Sequence, residues 1–236
     1  MLRVAAGTGE RASFCLERGD RRAESPFLYV AGTEDASRGQ ARLELALVEP
    51  VERAPGDAEA ARMVIDGVRT AIDGCDPDDA LERLHAAYSN LSRWLLGQNR
   101  ANGNRRKIFL GLTCLVRCGD DLFVAQVPPG QALIRQDGRL FAFPKLRSWS
   151  PAFQPSRTYD LPNPLGLREL TAPQAHYSRI ERGDLLAVVS SSIASRLEPL
   201  EEELLDAAGI EDVIDTLADA SARLGVVGGV AGIIAA

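Results

Sequence analysis

The sequence predicts an α+β fold, and three observations carry that prediction. Apolar residues recur at helical spacing in two consecutive segments between positions 61 and 97, and in two more between 197 and 224. From 108 to 143 the period switches to two. With 236 residues, 45% of them hydrophobic and 25% charged, the chain has the composition of a globular protein and enough length to bury a substantial core.

In chain order, PFLYVA at 26–31 reads as a short buried strand. The segment from Asp35 to about Val51, with QARLELALVEPVE, reads as a packed helix ended by Pro50 and Pro55. An amphipathic helix follows on Ala61, Val64, Ile65, Val68, Ala71 and Ile72, with Gly74 as its stop. Asp76-Pro77-Asp78-Asp79 supplies an N-cap and first-turn acids for the next helix. That helix presents Leu81, Leu84, Tyr88, Leu91, Trp94 and Leu95 and stops near Gly97. Four strands are then expected at 108–118, 122–127, 131–136 and 139–143. Short turns join them, with Asp137-Gly138 a hairpin signal, and they read as one antiparallel meander. Residues 144–166 hold five prolines and read as a long surface loop. A strand candidate within 167–180 and the apolar strand 185–190 follow. Leu197, Leu200, Leu204 and Leu205 line one further helix, and Val213, Ile214, Leu217 and Leu224 another. The tail from Gly225 to Ala236 fits a terminal strand.

The formal net charge of −6 argues against nucleic-acid binding driven by overall positive charge. No stretch reaches the ~20 apolar residues of a membrane-spanning helix, and the N-terminus lacks a signal peptide's apolar run, so a cytoplasmic location is expected. Cys114 and Cys118 share a strand face about 13 Å apart, too far for a disulfide. With Cys15 and Cys75 they read as reduced thiols. His85 and His176 form no metal-ligand pattern.

Two segments resemble the metal-dependent protein phosphatase family of type 2C. TCLVRCGDDLFVAQVPPGQALIRQDGRLFAF, at 113–143, is similar to the family's central strands with their G-D-S-R turn and "dG" hairpin. LGLRELTAPQAHYSRIERGDLLAVVSSSIASRL, at 165–197, looks like its "G-D-x-l-l-l-x-S-D-G" segment, with Gly183 and Asp184 as the G-D. The resemblance implies one domain over 1–236 with a four-layer α/β/β/α sandwich, two stacked antiparallel sheets flanked by helix pairs. It also implies serine/threonine phosphatase chemistry, in which carboxylates hold two divalent metals that activate water.

Position by position, the acids of that chemistry are replaced. The family's V-x-D-G reads Val30-Ala31-Gly32-Thr33, and its G-D-S-R reads Pro128-Pro129-Gly130-Gln131. Its S-D-G reads Ser190-Ser191-Ser192, and its D-N-x-T falls on Gly228-Gly229-Val230-Ala231. Gly32, Pro129, Ser191 and Gly228 therefore stand where aspartates are expected. The family's phosphate-binding arginine matches Arg11, in Arg11-Ala12-Ser13-Phe14. The expected reading is a pseudophosphatase with no metal and no cofactor, which binds a protein partner, phosphorylated or not, in bacterial-type signalling. A second reading is a weak phosphatase in which Glu34 and Asp35 act as displaced ligands for Mg²⁺ or Mn²⁺. A third is a structural module of a longer chain. Arg147, Trp149, Phe153 and Arg157 mark the long loop as a candidate partner-binding surface. Asp120 and Asp121 read as turn acids at the wrong end of the strands, and Asp184 as structural. Activating a serine of the 190–192 run would need a base, usually histidine or lysine, and the sequence places none beside it.

Overall fold

A computed structural model describes residues 11–22, 24–31, 40–103, 106–144, 163–197, 200–226 and 228–236. Strands β1 (Arg11–Glu17) and β2 (Asp20–Arg22) open the chain, followed by β3 (Leu28–Val30) and β4 (Arg42–Pro50). Helix α1 (Asp57–Ile72), a 3₁₀ turn (Pro77–Asp79) and helix α2 (Ala80–Ala101) come next. Then follow β5 (Leu110–Cys118), β6 (Asp121–Val127), β7 (Gln131–Gln136), β8 (Arg139–Phe143), β9 (Gln174–Arg179) and β10 (Leu185–Val189). Short helices α3 (Ser191–Ala194) and α4 (Glu201–Asp206), helix α5 (Ile210–Arg223) and β11 (Gly228–Ala235) complete it.

The strands form two antiparallel sheets, ordered β2-β1-β11-β10-β7-β8 and β3-β4-β5-β6-β9. Three apolar layers hold them together. Val64, Val68, Ile72, Leu84 and Tyr88 of α1 and α2 pack on Leu43, Val48, Leu112 and Val116 of the five-stranded sheet. Leu45, Leu47, Leu115 and Val124 meet Ile134, Val188 and Val230 between the sheets. Phe14, Leu133 and Ile233 of the six-stranded sheet pack under Leu204, Ile214 and Leu217 of α4 and α5. The expected four-layer α/β/β/α sandwich is the observed one.

Several elements differ from the sequence expectation. The packed helix expected before Val51 is strand β4. It is buried on both faces, so Leu43, Leu45, Ala46, Leu47 and Val48 form a nearly continuous apolar run without clean alternation. A register shift between Leu43 and Leu45 blurs the period further. The single meander is two hairpins in opposite sheets: β5 and β6 pair in one, β7 and β8 in the other. The break falls at Pro128-Pro129, whose missing N–H groups cannot extend a ladder. Helix α2 runs through Gly97 to Ala101, and Leu81 is solvent-exposed on it. Asp76 makes no side-chain cap hydrogen bond. The β1–β2 hairpin was not expected, although RASFCLE alternates cleanly and Arg18-Gly19, with φ of 55° and 88°, is a two-residue turn. The tail is β11, which lies between β1 and β10 inside its sheet. All four cysteines are free, and burial pushes Cys114 up to about 12 and Cys118 up to about 11. Among the described residues no helix is long and apolar enough to cross a membrane.

Candidate functional site at one end of the sandwich

One end of the sandwich collects strand ends from both sheets. In the five-stranded sheet, Glu49 and Pro50 close β4 and pair with Gly111 and Leu110 at the start of β5. In the other sheet, β10 ends at Val189, opposite Gln131 of β7 and Ala231 of β11. The β6–β7 link crosses between the sheets directly over Gly111. A Cβ added there would lie 2.3 Å from Pro129 Cδ and 2.4 Å from the Pro128 carbonyl oxygen. Pro129, Ser191 and Gly228 thus lie at the same end of the sandwich.

The serine run organises this end. The Ser190 N–H donates to the Val230 carbonyl (2.9 Å), and Ser190 Oγ accepts from the Val230 N–H (3.0 Å). Ser192 Oγ donates to the Gly228 carbonyl at 2.7 Å and lies 3.0 Å from Ser190 Oγ. Ser191 turns the other way, toward the opposite sheet. Its N–H donates to Glu49 Oε2 (2.8 Å) and its Oγ to Glu49 Oε1 (2.5 Å). Both oxygens of one carboxylate are therefore held by one serine across 142 residues of sequence. Burial raises the Glu49 carboxyl above its usual range, against the pull of the two Ser191 hydrogen bonds and the charge of Arg53. The Arg53 guanidinium also stacks 4.5 Å from the Phe27 ring.

Glu49 and Arg53 were missed in the sequence because β4 read as a helix. Seen as a strand, a carboxylate at its end, just before α1 and α2, is the missing signal. The base that the sequence did not place beside the serine run is also here, as the carboxylate of Glu49. No histidine joins it: His176 stacks on Phe143 at 5.5 Å, between strands β9 and β8.

Other candidates lie elsewhere. Arg11 begins β1 at the opposite end of the strand whose Glu17 pairs with Gly228, about 20 Å away along the six intervening steps. Its guanidinium donates to the Ala31 carbonyl at 2.7 Å, so the phosphate-binding position expected for it is not at this site. Ala31 itself is bonded to Glu44, toward the far end of β4 from Glu49. Asp121 is also at the far end, where it accepts from Tyr177 at 2.7 Å. Asp184 is structural, accepting from Gln136 Nε2 and the Glu181 N–H, both at 2.8 Å. Gly32, Glu34 and Asp35, and the loop residues Arg147, Trp149, Phe153 and Arg157, lie outside the described residues.

A hard divalent cation takes six or more oxygen ligands, several of them carboxylates. Among the described residues no group of three His, Cys, Asp or Glu side chains could hold a metal ion. Glu49, hydrogen-bonded to Ser191, does not make a two-metal centre by itself.

This architecture is that of the type 2C serine/threonine phosphatases. The S. agalactiae serine/threonine phosphatase superposes with a TM-score of 0.73 at 13% identity, covering 96% of this chain and 98% of that one. PppA, a regulatory component of the T6SS in Pseudomonas aeruginosa, gives 0.72 at 10% identity over 97% of both chains. The catalytic domain of PstP, solved with two manganese ions, gives 0.68 at 19% identity over 95% of this chain and 96% of that one. No protein-family profile and no curated protein matches the chain.

Proposed function

We propose that this chain is a pseudophosphatase: a cytoplasmic signalling module that keeps the phosphatase fold, uses no metal and binds a protein partner, phosphorylated or not. The observation that carries the reading is the Glu49–Ser191 pair. A two-metal centre needs several carboxylates converging on the cations. Here the Glu49 carboxylate is oriented by hydrogen bonds from a serine that stands at a position where the family has an aspartate, so the partner that would share a cation with it is a hydroxyl. Pro129 and Gly228, at the same end, carry no ligand atom on their side chains.

A second reading has one observation in its favour. Glu49 keeps a carboxylate at this end of the sandwich, with its affinity for protons raised, and Glu34 and Asp35 would join it as displaced ligands of Mg²⁺ or Mn²⁺ only if the 32–39 link reached Glu49 from the Ala31 end of β4. Hydrolysis of p-nitrophenyl phosphate, with and without Mn²⁺, separates the two. The first reading expects no turnover above the buffer rate from the wild-type chain. Metal-dependent turnover that disappears both in Glu49→Gln and in the Glu34→Ala/Asp35→Ala double variant would replace it with the second.

A further inference from the structure

Helix α2 buries two polar side chains, Ser92 at 0% and Asn99 at 2% exposure, and neither is used within the helix. A buried polar group is costly unless hydrogen-bonded. Both find their partners in the loop at 165–171. Ser92 Oγ donates to the Arg168 carbonyl (2.7 Å) and accepts from the Gly166 N–H (3.1 Å) and Thr171 Oγ1 (3.0 Å). Asn99 Nδ2 donates to the carbonyls of Ile108 (2.7 Å) and Gly166 (3.2 Å). Leu165, fully buried, exchanges backbone hydrogen bonds with Leu110 at 2.8 and 3.3 Å. Gly166 has φ of 85°, and a Cβ there would lie 2.8 Å from Leu95, so the loop is seated flush on the helix.

This firmly held loop turns two leucines to solvent, Leu167 at 45% and Leu170 at 70% exposure. Single exposed leucines are ordinary. Two on a backbone already fixed by buried side chains are different, because a partner meeting them has little loop ordering to offset. The charge around them is one-sided. Arg168 lies between them and makes no ion pair with any described residue. Arg93, next to Ser92, bonds only the Asn90 amide at 3.2 Å among the described residues, and Arg100 pairs with Glu169 at 3.2 Å. Residues 88–101 of α2 and 163–171 together carry three arginines and one carboxylate, on a chain whose net charge is −6. The loop starts beside Leu110, which pairs with Pro50, the neighbour of Glu49, so its base lies at the Glu49 end of the sandwich.

The geometry points to the 165–171 loop and the adjacent face of α2 as the docking surface for an acidic protein segment carrying apolar anchor residues. This rests on the partner-binding half of the proposed function and not on the absence of turnover. A random dodecapeptide phage library, panned against the full chain with a Leu167→Ser/Leu170→Ser variant as counter-selection, tests it. The expected result is enrichment of acidic sequences with two spaced apolar residues. By fluorescence anisotropy, the best of these peptides should bind about tenfold more weakly to Leu167→Ser/Leu170→Ser and to Arg93→Glu/Arg168→Glu. Both variants change exposed side chains, and circular dichroism should show them folded. No enrichment, enrichment of neutral or basic peptides, or equal binding by the variants would overturn the proposal. So would wild-type self-association abolished by Leu170→Ser, which would make the occupant a second copy. Metal-dependent turnover bears on the proposed inactivity and leaves this surface untouched.

Discussion

Gly111→Ala is expected to be the most damaging alanine substitution among the described glycines, with a loss of about 3 kcal/mol or more of stability. The added Cβ would sit 2.3 Å from Pro129 Cδ, 2.4 Å from the Pro128 carbonyl oxygen and 2.5 Å from Pro129 N. These are backbone and ring atoms that cannot rotate away. Relief requires moving the β6–β7 link, which is anchored on both sides by paired strands and by the Gln126 Nε2 hydrogen bond to the Gly130 carbonyl at 2.9 Å. Gly228→Ala is the matched control at the same end: its Cβ would meet only the Leu16 carbonyl oxygen, at 3.8 Å, and should cost well under about 1 kcal/mol. Urea unfolding midpoints of the two variants make the comparison. Equal midpoints would show that the link yields freely and is not a rigid wall of the cleft.

The second large effect is at Glu49, where two substitutions should diverge. Glu49→Ala leaves the Ser191 N–H and Oγ without their acceptor, at a cost of about 1–3 kcal/mol. Glu49→Gln keeps an acceptor oxygen and removes the buried charge. Because the folded-state pKa of Glu49 is raised, the protonated carboxyl is favoured by folding. Its contribution is fully present below the unfolded-state pKa of about 4.3 and is lost as pH rises through the folded value. Wild-type stability should therefore fall relative to Glu49→Gln as pH rises from the unfolded value through the folded one, and the gap should hold constant above it. Parallel curves for the two proteins from pH 4 to 7 would mean that Glu49 is well solvated and that the cleft is wetter than its geometry implies.

These two residues also mark where the sequence was legible. Helix α1 and strands β5 to β10 follow from their periodicity or from an apolar run bounded by turn residues. Strand β4 does not, since burial on both faces removes the alternation that separates a strand from a buried helix segment. Reading β4 as a helix placed the strand that leads into α1 at β3, and the family's first acid at Gly32. Glu49 then belonged to no motif, although it is the carboxylate found at the site. The sheet change at Pro128-Pro129 was not readable, because a short proline link reads equally well as a turn within one sheet. The 165–171 loop carries no signal of its own in the sequence beyond its place in a family-like segment. Its seating depends on Ser92 and Asn99, which look like ordinary helix-surface residues until the loop is seen above them.

The most direct test of the central account is Mn²⁺ titration calorimetry on the folded wild-type chain at neutral pH, with Glu49→Gln alongside. An end of the sandwich where no three described His, Cys, Asp or Glu side chains converge, and where Glu49 is held by Ser191, predicts no saturable heat from either protein at millimolar Mn²⁺. Stoichiometric binding by the wild type, weakened in Glu49→Gln, would contradict the account and establish Glu49 as a ligand of a rebuilt metal site.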